Sequence, residues 1–116
     1  MPAKDDEARE KVMKLQQFQQ QMQALTMQKQ NIQLQESEIT NALTELGSVN
    51  QEKVYEIVGN ILINKKPSDL KKSLKEKQER LKLRLESINK QLKRVTSKAQ
   101  DLQKDVMKLT QGGKEK

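Results

Sequence analysis

Two ladders of apolar residues, each stepping alternately by three and four, run along this chain on either side of a short stretch with a different pattern. The first ladder is Leu15, Phe18, Met22, Leu25, Ile32, Ile39, Leu43 and Leu46, with Lys29 and Glu36 holding two of its rungs. The second climbs from Leu74 through Leu81, Leu85, Ile88, Leu92, Val95, Ala99, Leu102 and Val106 to Leu109, with Gln78 as its polar rung. A 3-4 alternation holds one narrow seam on one side of a helix, the pattern of a coiled coil. The spacing predicts one helix over about residues 5–47 and another over about 68–110, each supplying the stripe that the other needs.

The expected helix ends follow from local chemistry. Acidic residues between Asp5 and Glu10 suit the positive end of a helix dipole. Gly47 is the expected left-handed cap of the first helix, with Ser48 and Asn50 continuing the break. The second helix restarts with Ser68 as N-cap and Asp69 in the first turn. Gly112 and Gly113 end it, leaving residues 111–116 as a solvated tail.

Between the ladders, residues 53–65 change period. Val54, Tyr55, Ile57, Val58, Ile61, Leu62 and Ile63 are β-branched, aromatic or aliphatic, and Gly59-Asn60 suits a tight turn. A helix running on through Gly59 is the competing reading, but Gly and Asn are poor helix formers. With a two-residue loop, Val58 faces Ile61 and Ile57 faces Leu62, so both faces of the hairpin are apolar. A lone two-stranded hairpin is marginal in water. Neither ladder has spare apolar surface to cover it, so the expected cover is another subunit.

A compact hairpin forces the two helices to run antiparallel. Setting Leu46 beside Leu74 places Ile39 near Leu81, Ile32 near Ile88 and Leu25 near Val95. The same register brings Glu36 near Arg84 and Lys29 near Gln91. Two readings stay open for these polar rungs: a register-fixing pair, or long side chains reaching out of a narrow seam.

Composition removes several classes of function. Only 33% of the 116 residues are hydrophobic, with one Tyr, one Phe and no Trp, so a thick globular core is out of reach. No Cys or His is present, which removes disulfides, thiolate metal sites and the commonest general base, and agrees with a reducing compartment. No glycine-rich phosphate loop occurs, no metal or cofactor is implied, and catalysis is not expected. The longest apolar-rich run, Val54 to Ile63, is too short to cross a membrane and contains Glu56; the N-terminus carries no signal core, so a cytoplasmic protein is expected.

Net charge is +7 and unevenly placed: Lys65 to Lys98 holds thirteen basic residues against four acidic, a net of +9. A charged helix of this kind is either a solvated outer face or a surface for an anionic partner. Aromatics for stacking bases are absent from it, as is a basic region leading into a parallel zipper, so nucleic acid is not an expected partner.

At the end away from the hairpin, roughly 50 Å along helices of this length, the two chain termini are expected together. There the apolar residues exceed what a two-helix seam covers: Leu15, Phe18, Val106 and Leu109 on the ladder, and Val12, Met13 and Met107 off it. A fraying helix end explains them in one reading. In the other they form an adaptable apolar tip for segments of other chains, a use that flexible Met suits.

The order of helix, hairpin and Lys-rich helix resembles the beta-type subunits of prefoldin. The residues that carry the likeness are Val54, Tyr55, Val58, Gly59, Leu62 and Ile63 in the hairpin, Gln19-Gln20-Gln21 and Gln28-Lys29-Gln30 in the first helix, and Leu81, Arg84 and Leu85 in the second. It covers nearly the whole chain, and a single hairpin matches beta-type rather than alpha-type subunits; Pro67 departs from the Thr/Lys-rich link expected there. The resemblance implies a predominantly α-helical fold, a long antiparallel two-helix coiled coil joined by one β-hairpin that oligomerises into a β-barrel. It implies a hexamer of two alpha-type and four beta-type subunits, a chaperone that binds unfolded polypeptides without nucleotide and passes them to a group II chaperonin. The alternative is a structural or tethering coiled coil, which would show an apolar stripe left over along the helix shaft.

Overall fold

The computed structural model describes residues 2–48 and 53–114, with side-chain burial over 6–48 and 53–109. Helix α1 spans Pro2–Ser48, strands β1 and β2 span Val54–Val58 and Ile61–Lys65, and helix α2 spans Pro67–Lys114. The chain divides into two compact units, Met1–Lys29 with Ser87–Lys116, and Gln30–Glu86.

Both prolines of the chain stand first in a helix. Proline at that position loses no hydrogen bond, because its missing N–H would be unsatisfied anyway, and its fixed φ is already helical. The start expected near Asp5 therefore moves to Pro2. Likewise Ser68 is not the cap of α2. The Leu70 N–H donates to the Lys66 carbonyl at 3.0 Å, which makes Lys66 the capping residue and puts Ser68 inside the first turn with Asp69.

The C-terminal ends also differ from expectation. Gly47 lies within α1 and is not left-handed; Gly59 alone has positive φ among the described residues. The helix closes at Ser48, whose Oγ donates to the Glu45 carbonyl at 2.9 Å and satisfies one of the orphan acceptors at the helix end. Asn50 lies outside the described residues. Helix α2 continues through Gly112 and Gly113 to Lys114, because a backbone-permissive glycine allows a helix to stop but does not compel it. Along α1, Thr26, Thr40 and Thr44 turn their hydroxyls back onto the carbonyls of Met22, Glu36 and Thr40 at 2.7–2.9 Å.

In the unit Gln30–Glu86 the seam is carried by Ile32, Ile39, Leu46, Leu70 and Leu81, all buried. Leu70 is one residue off the three-step expected before Leu74, and it packs where α2 begins. In the other unit Ile88 and Ala99 are buried, while Leu15, Phe18, Met22, Leu25, Leu92, Val95, Leu102, Val106 and Leu109 are half-buried. Every rung of both ladders is thus withdrawn from full exposure, as a two-helix seam requires. Within this unit Lys11 Nζ lies 3.9 Å from Asp105 Oδ2, and Leu25 and Val95 line one groove. Numbers rise along α1 as they fall along α2, so the helices are antiparallel with Leu25 near Val95.

The polar rungs resolve toward reaching out. Lys29, Glu36 and Gln78 are half-buried. Among the described residues neither Glu36 nor Lys29 forms an ion pair, and the Gln91 amide donates instead to Ser87 Oγ at 3.3 Å on its own helix. A half-buried charge keeps its hydration when its long stem covers the seam edge, so a pair is not required.

Candidate functional site

The hairpin pairs Val54 with Lys65, Tyr55 with Asn64, Glu56 with Ile63, Ile57 with Leu62 and Val58 with Ile61. This is the register a two-residue loop dictates. Gly59 has φ of 62° and Asn60 does not have positive φ, the pattern of a type II′ turn, whose twist matches that of the strands it joins.

Because directly paired residues share a face of an antiparallel ribbon, the hairpin has two unlike sides. One carries Val54, Glu56, Val58, Ile61, Ile63 and Lys65. On it Glu56 Oε2 sits 2.6 Å from Lys65 Nζ, close enough for an ion pair though off the hydrogen-bond direction, and Val54, Glu56 and Lys65 are half-buried. The other side carries Tyr55, Ile57, Leu62 and Asn64, and there Ile57 and Leu62, directly opposed, are 72% and 65% exposed. Covering such a pair is worth about 1.5–3 kcal/mol per side chain. The ion pair was not foreseen; the signal lay in opposite charges one diagonal step apart across the predicted register.

The seven apolar residues near the chain termini separate into two sets. Leu15, Phe18, Val106 and Leu109 are half-buried rungs of the seam. Val12, Met13 and Met107 stand outside it, with Met13 63% and Met107 52% exposed. The seam also extends a heptad further than the apolar ladder, since Ala8 and Lys11, reached by the same 3-4 steps back from Leu15, are half-buried. Lys11 Nζ is held between Glu7 Oε1 at 3.5 Å and Asp105 Oδ2 at 3.9 Å, so a charge caps the seam where apolar rungs run out.

Outward-facing apolar residues elsewhere on the helices are Met27, Leu34 and Leu83, separated by polar turns rather than joined in a stripe. Single exposed hydrophobes are ordinary on protein surfaces. Among the described residues no cluster of carboxylates is placed to hold a metal ion, and no helix is long and apolar enough to cross a membrane.

Comparison with known proteins gives one consistent result. The model of the family described as "Prefoldin subunit" matches residues 9–113. The chain is 40% identical over 96 residues to the prefoldin subunit beta of Methanosarcina barkeri, covering 82% of each chain. It is 34% identical over 99 residues to that of Archaeoglobus fulgidus, covering 84% of this chain and 85% of the relative. The crystal structure of the prefoldin beta subunit from Thermococcus strain KS-1 superposes with a TM-score of 0.79 at 30% identity, over 88% of this chain and 90% of that one. Two long helices joined by one hairpin, with family identity over nearly their whole length, place this chain in the prefoldin family, among its beta subunits.

Proposed function

We propose that this chain is a chaperone subunit that holds unfolded polypeptides without nucleotide and delivers them to a group II chaperonin in the cytoplasm. Residues 1–116 form one prefoldin-like domain in this reading. Its hairpin joins those of other subunits, two alpha-type and four beta-type in all, into a β-barrel, with Val54, Tyr55, Ile57, Val58, Ile61, Leu62 and Ile63 as the interface. Val12, Met13, Leu15, Phe18, Val106, Met107 and Leu109 form the client-binding tip. The surrounding Lys11, Lys14, Lys104 and Lys108 engage an acidic chaperonin surface.

The observation that carries the reading is the exposure of Val12, Met13 and Met107 beside the half-buried rungs of the seam. Unbranched, polarisable methionine adapts to many apolar partners, which a holder of unfolded chains needs. No catalytic step enters the proposal. Holding alone requires only apolar contact repeated over several tips, where linkage raises the effective concentration.

The test is removal of residues 1–18 together with 106–116 from the chain assembled with an alpha-type partner. Light scattering of an aggregating client should then rise sharply, while the particle mass falls only by the deleted residues. Protection should be the same with and without ATP. Full protection by the truncated assembly would place the client surface elsewhere.

A further inference from the structure

A groove of about 430 Å³ opens on one flank of the seam in the unit that contains both termini, and no role has been given to it. Its volume lies in the range of small-ligand sites, roughly 300–1,000 Å³. The half-buried Leu25 and Val95 form an apolar floor. Three primary amides, Gln21 and Gln28 on α1 and Gln91 on α2, stand along the walls and are exposed. Arg94 and Lys98, four residues apart and so on one face of α2, supply two cations at the rim.

The charge here is not neutralised from within. Among the described residues Arg94 and Lys98 form no ion pair, and the walls they face on α1 are neutral glutamines. We propose that this groove binds an extended, unfolded peptide segment in which a carboxylate side chain lies beside an aliphatic one. The aliphatic group rests on Leu25 and Val95, and the carboxylate is taken by the planar fork of Arg94 with Lys98 beside it. Each glutamine both donates and accepts, which suits the unpaired N–H and C=O groups of an extended chain. A helix has already satisfied those groups internally and gains nothing from the amides. The inference rests on the reading that this chain holds unfolded polypeptides, and it adds a sequence preference to that reading.

Anisotropy of short labelled unstructured peptides, equal in apolar content and differing only in Glu, Gln or Lys beside a Leu, tests it on the full chain. The Glu peptide should bind about tenfold more tightly than the Lys peptide, the scale of a charge-assisted hydrogen bond. Arg94→Gln with Lys98→Gln should erase that preference and leave the Gln peptide unchanged, with helicity intact because both side chains are exposed. Arg94→Lys should keep most of it. Equal binding of all three peptides, no binding, or a preference that survives the double variant would overturn the groove. So would displacement of the Glu peptide by a single-stranded oligonucleotide at lower concentration than by free Glu peptide, which would assign the cations to nucleic acid. None of these outcomes depends on aggregation suppression, so failure here is distinguishable from failure of the tip.

Discussion

The hairpin and the terminal ends of the helices both expose large apolar side chains, yet they are exposed in different ways. On the hairpin, Tyr55, Ile57 and Leu62 on one side and Val58, Ile61 and Ile63 on the other stand on a ribbon that also has open hydrogen-bonding edges. A partner there must match strand direction, register and side-chain spacing together. At the helix ends, Val12, Met13 and Met107 project from backbone whose hydrogen bonds close within the helix. A partner there meets side chains alone, apolar groups set among charges, with no strand edge to match. Exposed area alone therefore does not distinguish an assembly surface from a holding surface; the state of the backbone beneath it does.

The contrast breaks most visibly at the hairpin. Ile57→Asp with Leu62→Asp places two charges in the proposed barrel wall, each costing several kcal/mol if unpaired. Sedimentation should show the assembly falling to single subunits while far-UV circular dichroism stays helical. Intact particles would remove the hairpin from the interface.

At the helix ends a softer response is expected. Met13→Ser with Met107→Ser removes adaptable apolar contacts worth roughly 1–2 kcal/mol together when only partly buried by a client. Client affinity should fall about 5- to 30-fold, with assembly mass unchanged. Loss of the particle in this variant would erase the distinction between the two regions.

The smallest effects concern two glycines. A Cβ added at either Gly47 or Gly59 meets no atom within 4 Å, so sterics against neighbours do not separate them. Backbone conformation does. Gly59→Ala forces φ of +62° on an alanine and should destabilise the hairpin by about 1 kcal/mol. Gly47→Ala sits in a helix and should stabilise it by up to about 1 kcal/mol. Opposite shifts in thermal unfolding check both, and a common sign would contradict the helix end at Ser48.

Much of this architecture was legible because both ladders are long and their period is unambiguous: every rung from Leu15 to Leu46 and from Leu74 to Leu109 is buried or half-buried. Hairpin register was legible only on the condition of a two-residue loop; the Gly-Asn pair allows that length, and the observed pairing of Val58 with Ile61 fixes it. Helix ends were not, because several chemistries compete there. Gly47 and Gly112-Gly113 permit a cap that the backbone declines, and the prolines at 2 and 67 outrank Asp5 and Ser68 as starting points. The exposed subset of the terminal apolar residues also needed coordinates, since an off-ladder position says which side a residue avoids but not how much of it water reaches.

Lys66 is the one residue between strand β2 and helix α2, and its carbonyl holds the first turn through Leu70. A strand repeats every two residues and a helix turns about 100° per residue. A joint of one residue therefore locks the phase of one to the phase of the other, as a key fixes a gear to its shaft. One inserted residue at that point would swing the seam of α2 by about 100° away from its own hairpin. Length variation among functional sequences of this shape should therefore be forbidden between β2 and α2.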